Sequence, residues 1–340
     1  MVLSIIVPFY NMAADGKIEY CLNSLLSQSV QEYEIIAVDD ASTDNTLTIL
    51  RKYEAENPGK VQVIASSVNH HQGGARNLGI KAATGKYLGF MDGDDWAAPD
   101  MFEKLISKAE ETGADVVGCD YNIVHTHTME VGKIIPMNTA EQTGILTEEK
   151  KRLLILRPGS MVVKIYRREI IVDNGLWFPE DIFYEDNCMA PLWMLHCTHF
   201  VRVDEPLYYY YQHEASTVHH ISLQKCRDRM TAMDLLLEKS RQYGFYETYL
   251  PELNFKYAEL FFVNTLFSCM QGRMRHKYRF VKELTKRMKQ TFPDFTENVY
   301  YREKMDGEVQ KLIRLLLQSQ PAFFAYYHAL HFYRKLRKRG

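Results

Sequence analysis

The chain has 340 residues, of which 46% are hydrophobic and 25% charged, so it can bury a core and does not have the composition of a disordered protein. Its formal net charge of −2 argues against a general nucleic-acid-binding protein, because such proteins carry an excess of Lys and Arg. A chain of this length predicts about two domains.

The six cysteines are scattered, without a C-x-x-C pair or a Cys/His spacing typical of zinc sites. We expect them to be reduced and buried, as in the cytoplasm. The apolar residues 2–10 lack the basic residues that begin a signal peptide, and no apolar run reaches the roughly 18 residues that span a bilayer. We therefore expect a cytoplasmic protein, with peripheral contact at the inner face of the plasma membrane left open.

The first third of the chain alternates predicted strands and helices. Residues 2–7 form a continuous apolar run that ends at Pro8, as expected of a strand buried on both faces. Similar short runs predict further strands at residues 34–38, 61–64, 87–91 and 115–119.

Helices are predicted between these strands. Ser42 is placed to cap the second helix, the third is expected over residues 73–83, and the fourth over residues 101–112 with Pro99 in its first turn. This β-α-β-α order predicts an α/β fold, Rossmann-like, with a mostly parallel sheet and helices on both faces.

The pattern changes near residue 225. Strand patterns disappear there, and apolar residues recur at helical spacing, as in Met230, Met233 and Leu237. We therefore predict an α/β domain over residues 1–224, followed by a helical C-terminal domain with a basic tail over residues 225–340.

An acidic cluster, Asp92-Gly93-Asp94-Asp95, follows the fourth predicted strand. Carboxylates crowded at the end of a strand repel one another, and a divalent cation such as Mg²⁺ or Mn²⁺ relieves this repulsion. The alternative is a solvated acidic turn that caps the next helix. Pro8 and Asp39 also follow strand ends, so all three positions can line one crevice at the carboxyl edge of the sheet.

Two common nucleotide-binding fingerprints are absent from the sequence. A G-x-G-x-x-G fingerprint for NAD would follow the first strand, where the chain instead has residues 8–12, PFYNM. The G-x-x-x-x-G-K-[ST] motif of a P-loop does not occur either. Both interpretations are therefore disfavoured.

Four ordered segments together resemble the motifs of family 2 glycosyltransferases of the GT-A fold. They are residues 7–11 (VPFYN), 38–44 (VDDASTD), 73–79 (GGARNLG) and 90–95 (FMDGDD). The resemblance covers about residues 1–220. It implies a nucleotide-sugar half over about residues 1–120, an acceptor half over about residues 121–224, and inverting transfer from a nucleotide-diphosphate sugar, with a UDP-sugar as the first choice.

The resemblance places a nucleobase against the first two motifs. Pro8 and Tyr10 can form an apolar floor on which the base stacks, with Asn11 beside them. Asp39 is the first choice, and Asp40 the second, to accept the imide N–H of uracil. The alternatives are an ordinary core position for Tyr10 and helix capping for the carboxylates.

The resemblance places the diphosphate near Arg76 and the acidic cluster. Arg76 suits the base or phosphate side, and its alternative is a surface ion pair. Asp92 would face the ribose or a metal-bound water, and Asp94 would hold a Mg²⁺ or Mn²⁺ that bridges both phosphates. His213 is a further candidate metal ligand, and its alternative is a solvated loop histidine.

Inverting transfer also needs a base that deprotonates the acceptor hydroxyl. Glu185-Asp186 resembles the acceptor-side pair of the family, so Asp186 is expected to be the base and Glu185 its orienter or substitute. The alternative is that the pair caps the helix that follows. Trp177 can stack on an acceptor sugar or be buried, and Asp95 is expected on the acceptor side.

The C-terminal segment is rich in aromatic residues from Phe323 to Phe332, and five of the six residues 334–339 are basic. Such a helix can lie on an anionic membrane, or it can be a docked terminal helix with a solvated tail.

Taken together, the sequence predicts a metal-dependent inverting glycosyltransferase, a hexosyl- or N-acetylhexosaminyltransferase, that acts on a saccharide or lipid-linked acceptor in cell-surface polysaccharide synthesis. The alternative is a non-catalytic sugar-nucleotide-binding or scaffold protein of the same fold.

Overall fold

A computed structural model of the protein describes residues 1–212, 221–272 and 275–337, with side chains up to residue 334. His213 and the side chains of the basic tail beyond Arg334 therefore lie outside the described residues.

The described residues form one mixed sheet of ten strands. The strands are β1 (Leu3–Phe9), β2 (Tyr33–Asp39), β3 (Val61–Ala65), β4 (Tyr87–Phe90), β5 (Trp96–Ala97), β6 (Val116–Val124), β7 (Lys133–Ile135), β8 (Gly144–Ile145), β9 (Lys164–Arg167) and β10 (His199–Tyr211). Their order is β3-β2-β1-β4-β9-β6-β10-β5, with β7 beside β6 and β8 beside β10.

The first four strands in the sheet order are parallel, which confirms the predicted α/β beginning of the chain. Beyond β4 the sheet is mixed, because β9 is antiparallel to both β4 and β6, and β5, β7 and β8 are also antiparallel to their neighbours. The prediction of a mostly parallel sheet therefore holds only for the N-terminal part.

The strand register brings three expected site segments to one edge of the sheet. Phe9 at the end of β1 pairs with Asp39 at the end of β2, and Ile6 pairs with Phe90 at the end of β4. The chain leaves all three strands in the same direction because they are parallel. The residues that follow them therefore face a common crevice.

Within residues 1–212, seven α-helices accompany the strands. They are α1 (Lys17–Leu26), α2 (Thr46–Glu56), α3 (His71–Ala82), α4 (Met101–Thr112), α5 (Glu148–Leu156), α6 (Arg168–Asp173) and α7 (Glu185–His196).

Two predicted helix starts were wrong in detail. Ser42 does not cap α2, because its Oγ accepts a hydrogen bond from the backbone N–H of Asn11, and the Asp44 carboxylate accepts from the Thr46 N–H at the start of the helix. Pro99 lies outside α4, whose N-cap position is Asp100.

A cluster of buried rings holds α7 in place. The Trp193 ring contacts the rings of Phe90, Tyr166 and Phe178 at centroid distances of 5.6, 5.0 and 4.9 Å. The indole N–H of Trp193 also donates to the carbonyl oxygen of Leu176 at 3.0 Å. These contacts fix both the helix and the loop before it, since aromatic pairs in this range add to the burial of their surface.

The later part of the chain is helical, as predicted, and no strand follows Tyr211 in the described residues. Its helices are α8 (Leu223–Gln242), α9 (Leu250–Tyr257), α10 (Thr265–Gln271), α11 (Lys277–Thr291), α12 (Val299–Lys304), α13 (Gly307–Gln318) and α14 (Gln320–Arg337), with a π-helical stretch, Ala258–Asn264, between α9 and α10.

The chain divides into two compact units. One comprises Met1–His220 and Thr231–Phe245, and the other Ile221–Met230 and Tyr246–Gly340. All six cysteines lie in the described part, where they are buried and form no disulfide bonds. Within that part, every helix is too short or too polar to cross a bilayer.

Candidate active site

The loop after β1 is tied to the loop after β2. The backbone N–H of Asn11 donates to Ser42 Oγ at 3.0 Å, and Asn11 Oδ1 accepts from the N–H of Thr43 at 2.7 Å. Tyr10 is 46% exposed, so it is not the core residue of the alternative interpretation. Pro8 is buried inside β1, paired with Val38, and of the two residues expected to form the floor only Tyr10 therefore presents a ring to a ligand.

The two carboxylates after β2 have different surroundings. Asp39 is 2% exposed, and its Oδ2 accepts from the Ser42 N–H at 3.3 Å, whereas no described residue bonds its Oδ1. Asp40 is also buried, and its Oδ1 accepts from the His70 N–H at 2.8 Å. Burial raises the pKa of Asp40. Asp40 thus fixes the start of α3, while Asp39 keeps an unsatisfied acceptor, which a ligand N–H can complete.

Helix α3 also holds the loop between α6 and α7, residues 174–184. Asn77 Nδ2 donates to the Phe178 carbonyl at 2.9 Å and to Glu180 Oε1 at 3.0 Å, and Asn77 Oδ1 accepts from the Phe178 N–H at 3.0 Å. Gly73 permits the close approach, since a Cβ at this position would lie 2.4 Å from the carbonyl oxygen of Pro179. The α6–α7 loop is therefore mounted on α3.

Arg76, in the middle of α3, joins two carboxylates that are far apart in the chain. Its side chain is buried, its Nη1 donates to Glu185 Oε1 at 2.5 Å, and its Nη2 donates to Asp92 Oδ1 at 2.9 Å. Arg76 is therefore not the surface ion pair of the alternative interpretation. A contact from Arg76 to the donor would have to use the remaining N–H groups of the guanidinium.

Arg76 and the carboxylates around it shift one another's pKa values. Burial raises the pKa of Glu185 to about 7, against the opposing effect of the Arg76 charge. Burial likewise raises the pKa of Asp92, again against Arg76, and the neighbouring Asp94 adds to the rise. Burial opposes the charge on Arg76 itself, but Asp92 and Glu185 outweigh that effect and raise its pKa.

The three carboxylates of the acidic cluster have different surroundings. Asp95 is 1% exposed, with its Oδ2 accepting from the Tyr208 hydroxyl at 2.5 Å and its Oδ1 from the Tyr211 N–H at 2.8 Å. Burial raises its pKa well above the usual range, and Asp94 and Asp92 add to the rise. Asp92 bonds Arg76, and Asp94 is partly exposed. A direct acceptor contact from Asp95 would require the residues that bury it to move.

Asp186 is the exposed member of the acceptor-side pair. It is the second residue of α7, whereas Glu185, the first residue, is buried against Arg76. The charge of Asp186 acts on Arg76, Asp92 and Glu185, which places it near this group. The backbone of Tyr184 just before the helix has a φ of 67°, in the left-handed region.

Trp177, in the α6–α7 loop, lies near the C-terminal end of α3. It is partly exposed, and the Lys81 Nζ in the last turn of the helix is 5.8 Å from its ring centroid. Arg76 is five positions earlier, which corresponds to about 7.5 Å along the helix axis. The expected acceptor contact of Trp177 stays a prediction.

A divalent cation suits the carboxylates near Arg76. Within the described residues, no three His, Cys, Asp or Glu side chains have the geometry of a complete metal site. Mg²⁺ commonly takes only one or two carboxylates and completes its shell with substrate phosphates and water. Asp94, together with the Asp92 oxygen that does not bond Arg76, fits that ligand set.

Three residues that shape the site have no role predicted from the sequence. Asn77 lies within the quoted GGARNLG segment, but its partners are about a hundred positions away in the chain. Tyr208 begins a run of four tyrosines, and the two-residue period of a strand could not have singled it out, because the adjacent Tyr209 is buried as well. Gly73 lets α3 approach the carbonyl oxygen of Pro179, and no local pattern in the sequence identifies that distant partner.

Comparisons with known proteins agree with this geometry. Residues 4–173, half of the chain, match the model of glycosyl transferase family 2. The glycosyltransferase YibD of Escherichia coli K12 is 35% identical over 63% of this chain and 62% of its own length, and EpsJ of Bacillus subtilis 168 is 36% identical over 61% and 60%. The chain thus spans about three fifths of the length of these relatives.

Among solved structures, the chain is similar to residues 1–349 of Staphylococcus aureus TarS, with a TM-score of 0.69 and 23% identity over 94% of this chain and 91% of that one. The same TarS segment in complex with UDP-GlcNAc gives 0.57 and 23% over 89% and 92%. The mannosyltransferase PcManGT of Pyrobaculum calidifontis, in complex with GDP-Man and Mn²⁺, gives 0.50 and 15% over 89% and 88%. At these identities the likeness concerns the fold.

All four motifs lie within the matched residues, and the sheet of the matched region has the architecture of these neighbours. The protein belongs to glycosyl transferase family 2 and has the GT-A fold.

Proposed function

We propose that this glycosyltransferase moves a hexose or N-acetylhexosamine from a UDP-sugar to a saccharide or lipid-linked acceptor, with inversion, in the synthesis of a cell-surface polysaccharide. The observation that carries the proposal is the Arg76 bridge. It holds the acidic cluster after β4 and the start of α7 together, so that the exposed Asp186 lies beside the carboxylates expected to handle the diphosphate.

The surroundings of Asp39 favour uracil over guanine. One of its oxygens is occupied by the Ser42 N–H, and the other is buried without a partner among the described residues. Uracil presents one imide N–H, which a single acceptor satisfies, whereas the N1–H and amino group of guanine suit both oxygens of a carboxylate. The exposed ring of Tyr10 is available for stacking on the base. The UDP-GlcNAc complex of the TarS segment, a structural neighbour, also supports a UDP-sugar.

Asp94 and the second oxygen of Asp92 would hold a Mg²⁺ or Mn²⁺. Such an ion, when bound, offsets the negative charge that develops on the leaving diphosphate. His213, outside the described residues, stays a candidate ligand from the sequence.

Asp186 is the proposed general base. As the acceptor oxygen attacks the anomeric carbon, its proton passes to the Asp186 carboxylate. The new C–O bond forms while the bond to the diphosphate oxygen breaks, and its electron pair leaves with UDP. One displacement of this kind inverts the anomeric carbon. Glu185 and Arg76 act as positioning residues, because their buried ion pair fixes the first turn of α7.

Replacement of Asp186 by Asn tests the base. The amide cannot accept the hydroxyl proton, so we expect transfer to fall by about 10²–10⁴-fold, with donor affinity unchanged. The donor is first chosen from a UDP-sugar panel by thermal shift, and UDP release is then followed with saccharide acceptors. Asp173→Asn, at an exposed carboxylate on α6, is the control and keeps parental rates. Near-parental transfer in Asp186→Asn would reject this base and point to Glu185.

Replacement of Asp94 by Ala tests the cation. Calorimetry of UDP with and without Mn²⁺ should show metal-enhanced affinity in the parent protein, on the order of tenfold or more, equivalent to about 1.4 kcal/mol. We expect this enhancement to vanish in Asp94→Ala while metal-free UDP binding and thermal unfolding persist. Asp100→Ala, outside the cluster, retains the enhancement. If Asp94→Ala kept the Mn²⁺ effect, the assignment of Asp94 would be wrong.

Replacement of Arg76 by Met tests the bridge. The substitution leaves Glu185 as a buried charge without its ion-pair partner, so we expect a loss of about 3–5 kcal/mol in unfolding free energy at pH 8.5. The loss should shrink at pH 6. Without Arg76 the folded-state pKa of Glu185 lies further above its unfolded value, so this carboxyl stabilises the fold at low pH and loses that contribution as the pH rises above about 7.

Urea unfolding at both pH values measures the Arg76→Met effect, and the double variant with Glu185→Gln is the control. The double variant should regain part of the stability at pH 8.5, because Glu185 no longer leaves an unpaired buried charge. Strictly additive effects of the two substitutions at pH 8.5 would show that the pair is not coupled.

Replacement of Gly73 by Ala tests the mounting of the α6–α7 loop on α3. The added methyl would lie 2.4 Å from the Pro179 carbonyl oxygen, so the loop must shift. We expect a loss of about 1–3 kcal/mol in stability and a larger decrease in transfer than in UDP affinity. Gly307→Ala, where nothing lies within 4 Å, is the matched control and should be neutral or slightly stabilising. Parental transfer in Gly73→Ala would exclude the mounting role.

A further inference from the structure

Helix α14 has one face that is docked within its own unit. Phe323 is fully buried there, the Phe324 ring contacts Tyr278 at 5.2 Å, and the Tyr327 ring contacts Phe267 at 6.1 Å. These contacts account for the aromatic residues on one side of the helix. They leave the aromatic residues of the opposite side without a role in packing.

The opposite side of α14 is an exposed apolar stripe. Its members recur at steps of one, three or four residues, which places them on one helical face. They are Ala322, Ala325, Tyr326, Ala329, Phe332 and Tyr333, and all are exposed. The three aromatic side chains among them are 54%, 65% and 61% exposed. Exposed aromatic residues in such an array mark an interaction surface.

The distribution of charged residues in this C-terminal segment favours an anionic partner. Residues 320–333 contain no charged side chain, whereas five of the six residues 334–339 are Lys or Arg. No acidic residue follows Glu308, although the whole chain has a net charge of −2. Arg334 pairs with Glu308 at 2.5 Å, but both side chains are at least half exposed, and an ion pair of this kind contributes little.

We propose that α14 binds the surface of an anionic lipid bilayer. The exposed stripe enters the boundary between headgroups and acyl chains, and the positive charges that the sequence carries in residues 334–339 attract lipid phosphates. Tyr and Phe suit this depth, since aromatic side chains concentrate at membrane interfaces. The stripe belongs to a different unit from the carboxylates around Arg76, and its binding to lipid does not depend on the proposed transfer chemistry.

A second copy of the chain fits the stripe less well. The three exposed aromatic rings offer roughly 300–450 Å² together, about half of the roughly 800 Å² per partner that a stable interface buries. A second copy would also bring a basic segment of the same sign, whereas an anionic bilayer complements it.

Vesicle flotation of the full chain tests the proposal. We expect binding to vesicles of phosphatidylcholine with phosphatidylglycerol at low salt, little binding to phosphatidylcholine alone, and loss of binding at high salt. A charge variant with Lys335→Gln, Arg337→Gln, Lys338→Gln and Arg339→Gln should partition at least about 100-fold more weakly. Failure of the parent protein to bind anionic vesicles at low salt would overturn the proposal.

A stripe variant distinguishes a bilayer from a second copy of the chain. Tyr326→Ser, Phe332→Ser and Tyr333→Ser together should weaken vesicle binding at least tenfold, while thermal unfolding stays parental because these side chains are exposed. Val131→Ser with Ile145→Ser removes two exposed apolar side chains elsewhere and should leave binding unchanged. Full binding by the stripe variant would overturn the insertion of the stripe. A lipid-free dimer of the parent, lost in the stripe variant by light scattering, would assign the surface to a second copy instead.

Discussion

A buried guanidinium is the constraint on which the site depends. Arg76 lies between Asp92, which follows β4, and Glu185, which begins α7, and it bonds both. Replacing such an ion pair with apolar residues is often neutral or stabilising, so a buried pair is weak evidence for stability. Its directional, charge-assisted bonds do fix geometry. Here they set the distance between an acidic cluster and the helix that carries Asp186.

The rest of α3 serves the same alignment. At its start, the Asp40 carboxylate accepts from the His70 N–H and so ties the helix to the end of β2. In its middle, Asn77 bonds both the backbone and a side chain of the α6–α7 loop, and Gly73 lets that loop approach. Helix α3 therefore sets the relative positions of the loop after β2, the loop after β4 and the start of α7. The resemblance assigned this segment to the donor side, and the structure shows that it also holds the α6–α7 loop, which the resemblance assigned to the acceptor half.

The sequence predicted the parts of the fold that depend on local pattern. The strands of the parallel region were found because their apolar runs are continuous, while β5 and β8 have two residues each and present no period to detect. Partners distant in the chain could not be read in the same way. Arg76 and Glu185 are 109 positions apart, and Ser42 bonds Asn11, 31 positions away, instead of capping the next helix. Residue type predicted that these side chains would form polar contacts, but only the tertiary fold selects the partner.

In the acidic cluster, too, the tertiary fold selects the partner of each side chain. Residue type alone does not distinguish Asp92, Asp94 and Asp95, but the fold turns Asp95 inward to Tyr208, pairs Asp92 with Arg76, and leaves Asp94 partly exposed. Asp92 and Glu185 bond the Arg76 guanidinium, and the charge of Asp186 also acts on it. A nucleotide diphosphate would bring further negative charge to this acidic site. Such a site accepts the donor only if protons or a cation offset the excess.

Burial already raises the pKa of Asp92, Asp95 and Glu185, so these carboxyls take up protons more readily than exposed ones, and bound protons would supply part of this compensation. That part is lost as the pH rises, because the groups then ionise. A divalent cation acts in the opposite direction, since its carboxylate ligands must be deprotonated and its binding strengthens as protons leave. Compensation by protons therefore predicts that donor affinity falls as the pH rises, whereas compensation by a cation predicts that donor affinity increases. The balance between the two is set by how completely α3 and its contacts bury each carboxylate.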